Sequence, residues 1–96
     1  MTTYVCLANW TQKGIESVKE SPERLDAARE AFEEQGVTLR DFYMTVGQYD
    51  FVMTLEATDD VALAKSLLAV AQVGNVRTTT LRAFAEDEYR EIIGSL

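Results

Sequence analysis

The residue types missing from this 96-residue chain limit the chemistry it can do. Histidine is absent, which removes the commonest general base and the commonest metal ligand, and Cys6 is the only cysteine. A Cys/His zinc site, a Cys/His or Ser/His/Asp nucleophile, a proximal-histidine haem and a cysteine-ligated iron-sulfur cluster therefore all lack their parts within one chain. The plausible strand-borne groups for proton transfer or oxyanion binding are Tyr43, Tyr49, Asp50, Arg77 and Arg82, and cofactor-free chemistry would have to use some of them. Three short polar and aromatic segments surround that set: Asn9, Trp10 and Thr11; Tyr49 and Asp50; Asn75 and Arg77. Gathered beside a helix N-terminus, whose free N–H groups favour an anion, they would suit a small carboxylate or carbonyl ligand. Whether they gather depends on the elements that carry them.

Thr3 to Trp10 reads as a strand, since Tyr4, Val5, Cys6 and Leu7 are apolar or β-favouring and a helix-capping residue comes only at Thr11. Behind Thr11, the residues Ile15, Val18, Leu25, Ala28 and Phe32 form one helical stripe, which Ser21 and Pro22 bend or restart and Gly36 ends. Val37 to Val46 is dense in β-branched and aromatic residues and predicts a second strand. Phe51, Met53 and Leu55 alternate with Val52, Thr54 and Glu56 in a third, joined to the second by a hairpin over residues 47–50, where Gly47 is expected to supply a positive φ. Thr58 is the expected cap of the next helix, Asp59 and Asp60 suit its positive end, and Val61, Ala64, Leu67, Leu68 and Ala71 make its apolar stripe before Gly74. Asn75 to Phe84 predicts a fourth strand. Ala85 to Leu96 predicts a C-terminal helix docked through Tyr89, Ile92, Ile93 and Leu96, with Glu86, Asp87 and Glu88 complementing its dipole.

The order is βαββαβ with a trailing helix, a ferredoxin-like α+β sandwich in which both helices cover one face of an antiparallel sheet. In that topology the first and second strands run one way and the third and fourth the other. The end of the first strand, the hairpin and the start of the fourth strand then share one end of the sheet. Asn9, Trp10, Thr11, Tyr49, Asp50, Asn75 and Arg77 should therefore lie near one another. The helix-free face carries apolar residues and needs a cover, for which a second copy of so small a domain is the simplest source; two sheets face to face make a barrel-like dimer.

Composition agrees with a single folded domain over residues 1–96: 47% hydrophobic and 26% charged residues with one proline leave no disordered or collagen-like stretch. Nine Lys and Arg against sixteen Asp and Glu give a charge of -7, the wrong sign for a phosphate backbone or an anionic bilayer. Nucleic acid and membrane are excluded as expected partners. Without a basic leader or a run of ~18 apolar residues, the expected location is the cytoplasm.

Gly47, Gln48, Tyr49, Asp50, Phe51 and Val52 resemble the Gly-x-Tyr-Asp signature of the GYD domain family. The likeness extends to Tyr4, to Asn-Trp-Thr-Gln-Lys-Gly at residues 9–14, to Ser21-Pro22, and to Gly74-Asn75-Val76-Arg77-Thr78 continuing through Thr80-Leu81-Arg82-Ala83-Phe84. It covers nearly the whole chain, from Tyr4 to Ile93. The resemblance implies a dimeric α/β barrel and no catalytic residues.

Several of these residues also have a structural reading. Asp50 can accept turn N–H bonds and pair with Arg77, and Trp10 can act as a packing lid. Cys6, inside an apolar strand, reads as an inert thiol, and Met44 and Met53 as core filler. No cofactor and no metal is expected. Three functions follow as expectations: a dimeric small-molecule binding module with its pocket at the sheet face or dimer interface, a cofactor-free enzyme of the dimeric α/β barrel type, and an assembly or regulatory module without small-molecule chemistry.

Overall fold

A computed structural model describes all residues, Met1–Leu96. Strand β1 (Thr2–Trp10) leads into a short helix α1 (Gln12–Glu16), a 3-10 turn (Val18–Glu20) and helix α2 (Ser21–Glu34). Strands β2 (Val37–Met44) and β3 (Phe51–Ala57) follow, then helix α3 (Asp60–Val73), strand β4 (Val76–Ala83) and helix α4 (Glu86–Gly94). The sheet order is β2-β3-β1-β4 and every neighbouring pair is antiparallel. This is the ferredoxin-like α+β arrangement that the residue pattern predicts.

The core lies between the sheet and helices α2 and α3. Tyr4, Cys6 and Ala8 alternate along β1 and face Leu55, Met53 and Phe51 on β3, while Phe32 and Leu63 close over them from the helices. Period-2 burial is complete on β3, where Phe51, Met53, Leu55 and Ala57 are all buried. On β2 the pattern breaks at a bulge between Leu39 and Asp41, which makes Arg40 the extra residue.

Several expectations need correction. The first helix is three pieces; Ile15 is largely exposed, because α1 ends at Glu16 and cannot continue the stripe. Strand β2 stops at Met44, so Met44 and Val46 lie exposed beyond the reach of either helix, and only Met53 fills the core. Likewise β4 ends at Ala83 and leaves Phe84 outside the sheet. Asp59, not Thr58, caps α3: its carboxylate accepts from Val61 N at 2.8 Å. The helix also turns a different face inward. Its inward face is Leu63, Ser66, Leu67 and Val70, and Val61, Ala64, Leu68 and Ala71 face outward.

Helix α4 does not dock. None of its residues is buried, and Tyr89, Ile92 and Ile93 remain about half exposed although they share an apolar stripe. The helix side of the sheet is already taken by α2 and α3, so one chain has no surface to offer it. Its acidic first turn is used as expected at a helix start: Glu88 Oε1 accepts from Ala85 N at 3.1 Å, and Glu86 pairs with Arg90 at 2.9 Å.

Candidate functional site

The topology brings the three signature segments to one end of the sheet, and backbone groups hold them there. Thr11 N donates to Asn75 O at 3.0 Å, and Thr11 Oγ1 donates to Gly74 O at 2.6 Å while accepting from Gly14 N at 3.1 Å. That hydroxyl caps α1 and ties it to the start of β4 in one step. Gly14 lies so close to β4 that a Cβ there would meet Asn75 O at 2.0 Å, and glycine is the residue this approach allows. Gly74 ends α3 in the left-handed region, at φ 91°.

The hairpin is stitched to β1 in the same way. Asp50 N donates to Ala8 O at 2.9 Å, and the Asp50 carboxylate accepts from Trp10 N at 2.9 Å. Asn9 Nδ2 donates to Gln48 O at 3.0 Å, and Thr45 Oγ1 donates to Tyr49 O at 2.5 Å. Gly47 adopts φ 150°, the positive value expected of the turn. Two expectations fail here. Asp50 serves a neighbouring strand instead of its own turn, and it does not pair with Arg77, which makes no ion pair at all.

The reason is the pleat. Asn9 and Arg77 are cross-strand partners on the helix-free face, whereas Trp10 pairs with Val76 and turns inward against Phe51, ring centroids 5.8 Å apart. The seven nominated residues thus share one end but divide between two faces. Asn9 and Arg77 lie outside, Trp10 and Asn75 line a half-open cavity on the helix side, and Thr11, Tyr49 and Asp50 form the seam between them.

That cavity has a volume of about 300 Å³ and lies between α2, α3 and the sheet. Phe42, Phe51 and Met53 make its floor, Phe32 and Leu67 its sides, and Arg24, Ser21, Asn75 and Thr78 are its polar members. The expected stripe residues Leu25 and Ala28 belong to it, but the sequence did not show that alanines at 27, 28 and 31 would leave a space.

The other end of the sheet carries a group that the residue pattern did not single out. Tyr4 is 6% exposed, and its hydroxyl donates to Asp60 Oδ1 across a short contact. The Asp60 hydrogen bond first, and burial second, hold the Tyr4 phenol above its ordinary 10.0. Arg82 is the cross-strand neighbour of Tyr4; it pairs with Glu88 at 3.6 Å and stacks 4.2 Å over Phe84. The signal in the sequence was Asp60, which reads there only as a partner for the helix dipole. Burial pushes the Cys6 thiol up as well, which keeps it protonated and inert. Tyr43, the remaining acid-base candidate, is exposed on the edge strand β2, far along the sheet order from Arg77 on β4. No group of three or more Asp, Glu or Cys side chains converges in a way that could hold a metal ion, and no helix is long and apolar enough to cross a membrane.

Comparison with known proteins agrees with this architecture. The sequence is 36% identical over 84 residues to the glutamine synthetase and cystathionine beta-lyase binding protein of Thermus thermophilus, covering 86% of this chain and 88% of that protein. The crystal structure of TTHA0845 from the same organism superposes with a TM-score of 0.57 at 25% identity, over 88% of this chain and 95% of that one. A feast or famine regulatory protein of M. tuberculosis, solved with L-methionine, gives a TM-score of 0.63 at 19% identity over 91% of this chain. This chain spans about half the length of that regulator, 54%, and the likeness is one of fold. The GYD domain matches residues 4–93, and with the signature segments placed as described, the chain belongs to the GYD domain family.

Proposed function

We propose that this protein is a homodimeric binding module that acts by association, with the helix-free face of its sheet closed against that of a second copy. The observation that carries this reading is the composition of that face. Val5 lies between Thr54 and Leu81, and Leu7 between Val52 and Thr79, so an apolar row crosses the centre of the sheet with no helix over it. Leu81 is 49% exposed there. An isologous pairing would bury both copies of the row at once.

The relative named for binding glutamine synthetase and cystathionine beta-lyase supports a regulatory use of such a module, with a metabolic enzyme as the partner. The signature end supplies the anion-binding part of the proposal. Arg77 is a cation without an ion pair, beside Asn9 on the face where two sheets would meet. Trp10 and Asn75 reach the same end from the inner face.

Sedimentation equilibrium at micromolar concentration tests the dimer. The expected mass is at least twice 10.8 kDa, and Leu81→Asp should reduce it to that of one chain. A wild-type monomer contradicts the proposal. Partner binding is tested by co-elution with purified glutamine synthetase and cystathionine beta-lyase from the same source; failure of both removes the regulatory part and leaves the dimer standing.

A further inference from the structure

We propose that the cavity between α2, α3 and the sheet is a binding site for a compact, uncharged apolar molecule that carries one neutral polar group, such as an alcohol or ketone of bicyclic size. The inference goes beyond the dimer, because this cavity is built by a single chain on the opposite face of the sheet.

The size sets the first limit. An enclosed apolar cavity of ~150 Å³ admits benzene, and the half-open 300 Å³ here has room for a molecule about twice as large. The shape of the opening comes from short side chains: Ala27 and Ala31 of α2 face Ala69 of α3 across the rim, and all three are exposed. Helices with methyl groups at their contact leave a slot that longer side chains would fill. Beneath the slot, Phe42, Phe51 and Trp10 present ring surfaces, with Phe42 and Phe51 centroids 5.2 Å apart.

Charge sets the second limit. Arg24 is the only ionisable side chain in the lining, and its guanidinium is already committed. It donates to Ser17 O at 2.9 Å, to Ser17 Oγ at 3.0 Å and to Gly14 O at 3.2 Å, with Glu20 at 3.8 Å. A carboxylate in the cavity would have to take Arg24 from the segment it holds, and an ammonium would meet a like charge. Burying either without a partner is unfavourable. At the β4 end the polar lining consists of Asn75 and Thr78, neutral side chains without side-chain hydrogen bonds of their own. They can serve one hydroxyl or carbonyl of a ligand whose remaining surface is hydrocarbon.

Trp10 is the only tryptophan and lines the cavity, so its emission reports occupancy directly. The experiment titrates the full chain with 1-adamantanol, with adamantane-1-carboxylate and adamantane-1-ammonium as charged counterparts. The alcohol should shift Trp10 emission saturably, with half-saturation below about 1 mM, and both ions should bind at least about tenfold more weakly. Ala28→Phe should abolish the response while the far-ultraviolet spectrum is retained; should that variant fail to fold, Ala69→Leu narrows the slot from its other side. Because the site lies within one chain, the response should persist in monomeric Leu81→Asp, which separates this proposal from the dimer. No response to the alcohol, equal responses to alcohol and carboxylate, or an undiminished response in the filled variant would each overturn it.

Discussion

The two ends of the sheet are held by different chemistry. At the signature end the contacts that join β1, the hairpin and β4 involve backbone atoms: Thr11 N to Asn75 O, Asp50 N to Ala8 O, Thr11 Oγ1 to Gly74 O, and Asp50 to Trp10 N. At the far end the links are between side chains, Tyr4 with Asp60 and Arg82 with Glu88 and Phe84. Backbone links demand particular residues because the chain must approach closely or turn sharply, and Gly14 and Gly74 meet that demand. Side-chain links can be replaced, and the Tyr4 phenol among them is held above its ordinary range. The family signature therefore marks where the fold is closed, while the shifted phenol of Tyr4 belongs to the opposite end.

The comparison is broken most severely at Gly14. Gly14→Val puts a Cβ against a backbone oxygen that cannot move without shifting β4, and should cost about 3 kcal/mol or more in urea unfolding. A smaller loss would show that α1 can slide and that the closure is soft. Asp50 ranks next. Asp50→Ala leaves Trp10 N without its acceptor and should cost about 2 kcal/mol, whereas Asp50→Asn retains an accepting oxygen and should cost about half as much, read as melting points about 4 to 8 °C apart. Equal losses in the two variants would mean that the charge, not the hydrogen bond, holds the strand.

Tyr4→Phe sharpens the contrast from the other end. Because the folded phenol is held above its ordinary 10.0, its contribution is whole below about pH 10 and is lost as pH rises through the raised value. At pH 7 the substitution should cost about 1 kcal/mol. Above pH 10 the wild type should lose stability more steeply than the variant, until the two melting curves converge. Parallel pH profiles would remove Tyr4 from the alkaline transition. The smallest effect belongs to Arg77→Gln: an exposed, unpaired cation should change stability by less than about 0.5 kcal/mol, and any larger loss would reveal a structural partner for it.

Much of this was legible in the residues themselves. Alternation on β3, the Thr11 cap and the Gly74 stop act locally, and local chemistry is written locally. The convergence of Asn9, Tyr49, Asp50, Asn75 and Arg77 followed from topology alone. What could not be read is which face each residue takes at a strand end, since one residue of register separates Trp10 inside from Asn9 outside. The inward face of α3 could not be read because apolar residues stand on nearly every side of that helix. Helix α4 was misplaced because its amphipathic pattern states that a cover exists without stating which chain supplies it. The cavity was invisible because alanines read as good packing, and only the spacing between two helices shows that they leave a gap.

The central position of β1 has a consequence for synthesis. Translated before its neighbours, it pairs with nothing nearby: Ala8 waits for Phe51, and Thr3 waits for Ala83. At ~5 to 20 residues per second, the stretch from Thr3 to Ala83 takes the ribosome on the order of 4 to 16 s. Both edges of this apolar strand are open to any other chain until β3 is made, and one remains open until β4 is made. The most hazardous moment for this protein is therefore its own birth, and conditions that slow elongation after Ala57 should lower its soluble yield without altering the finished molecule.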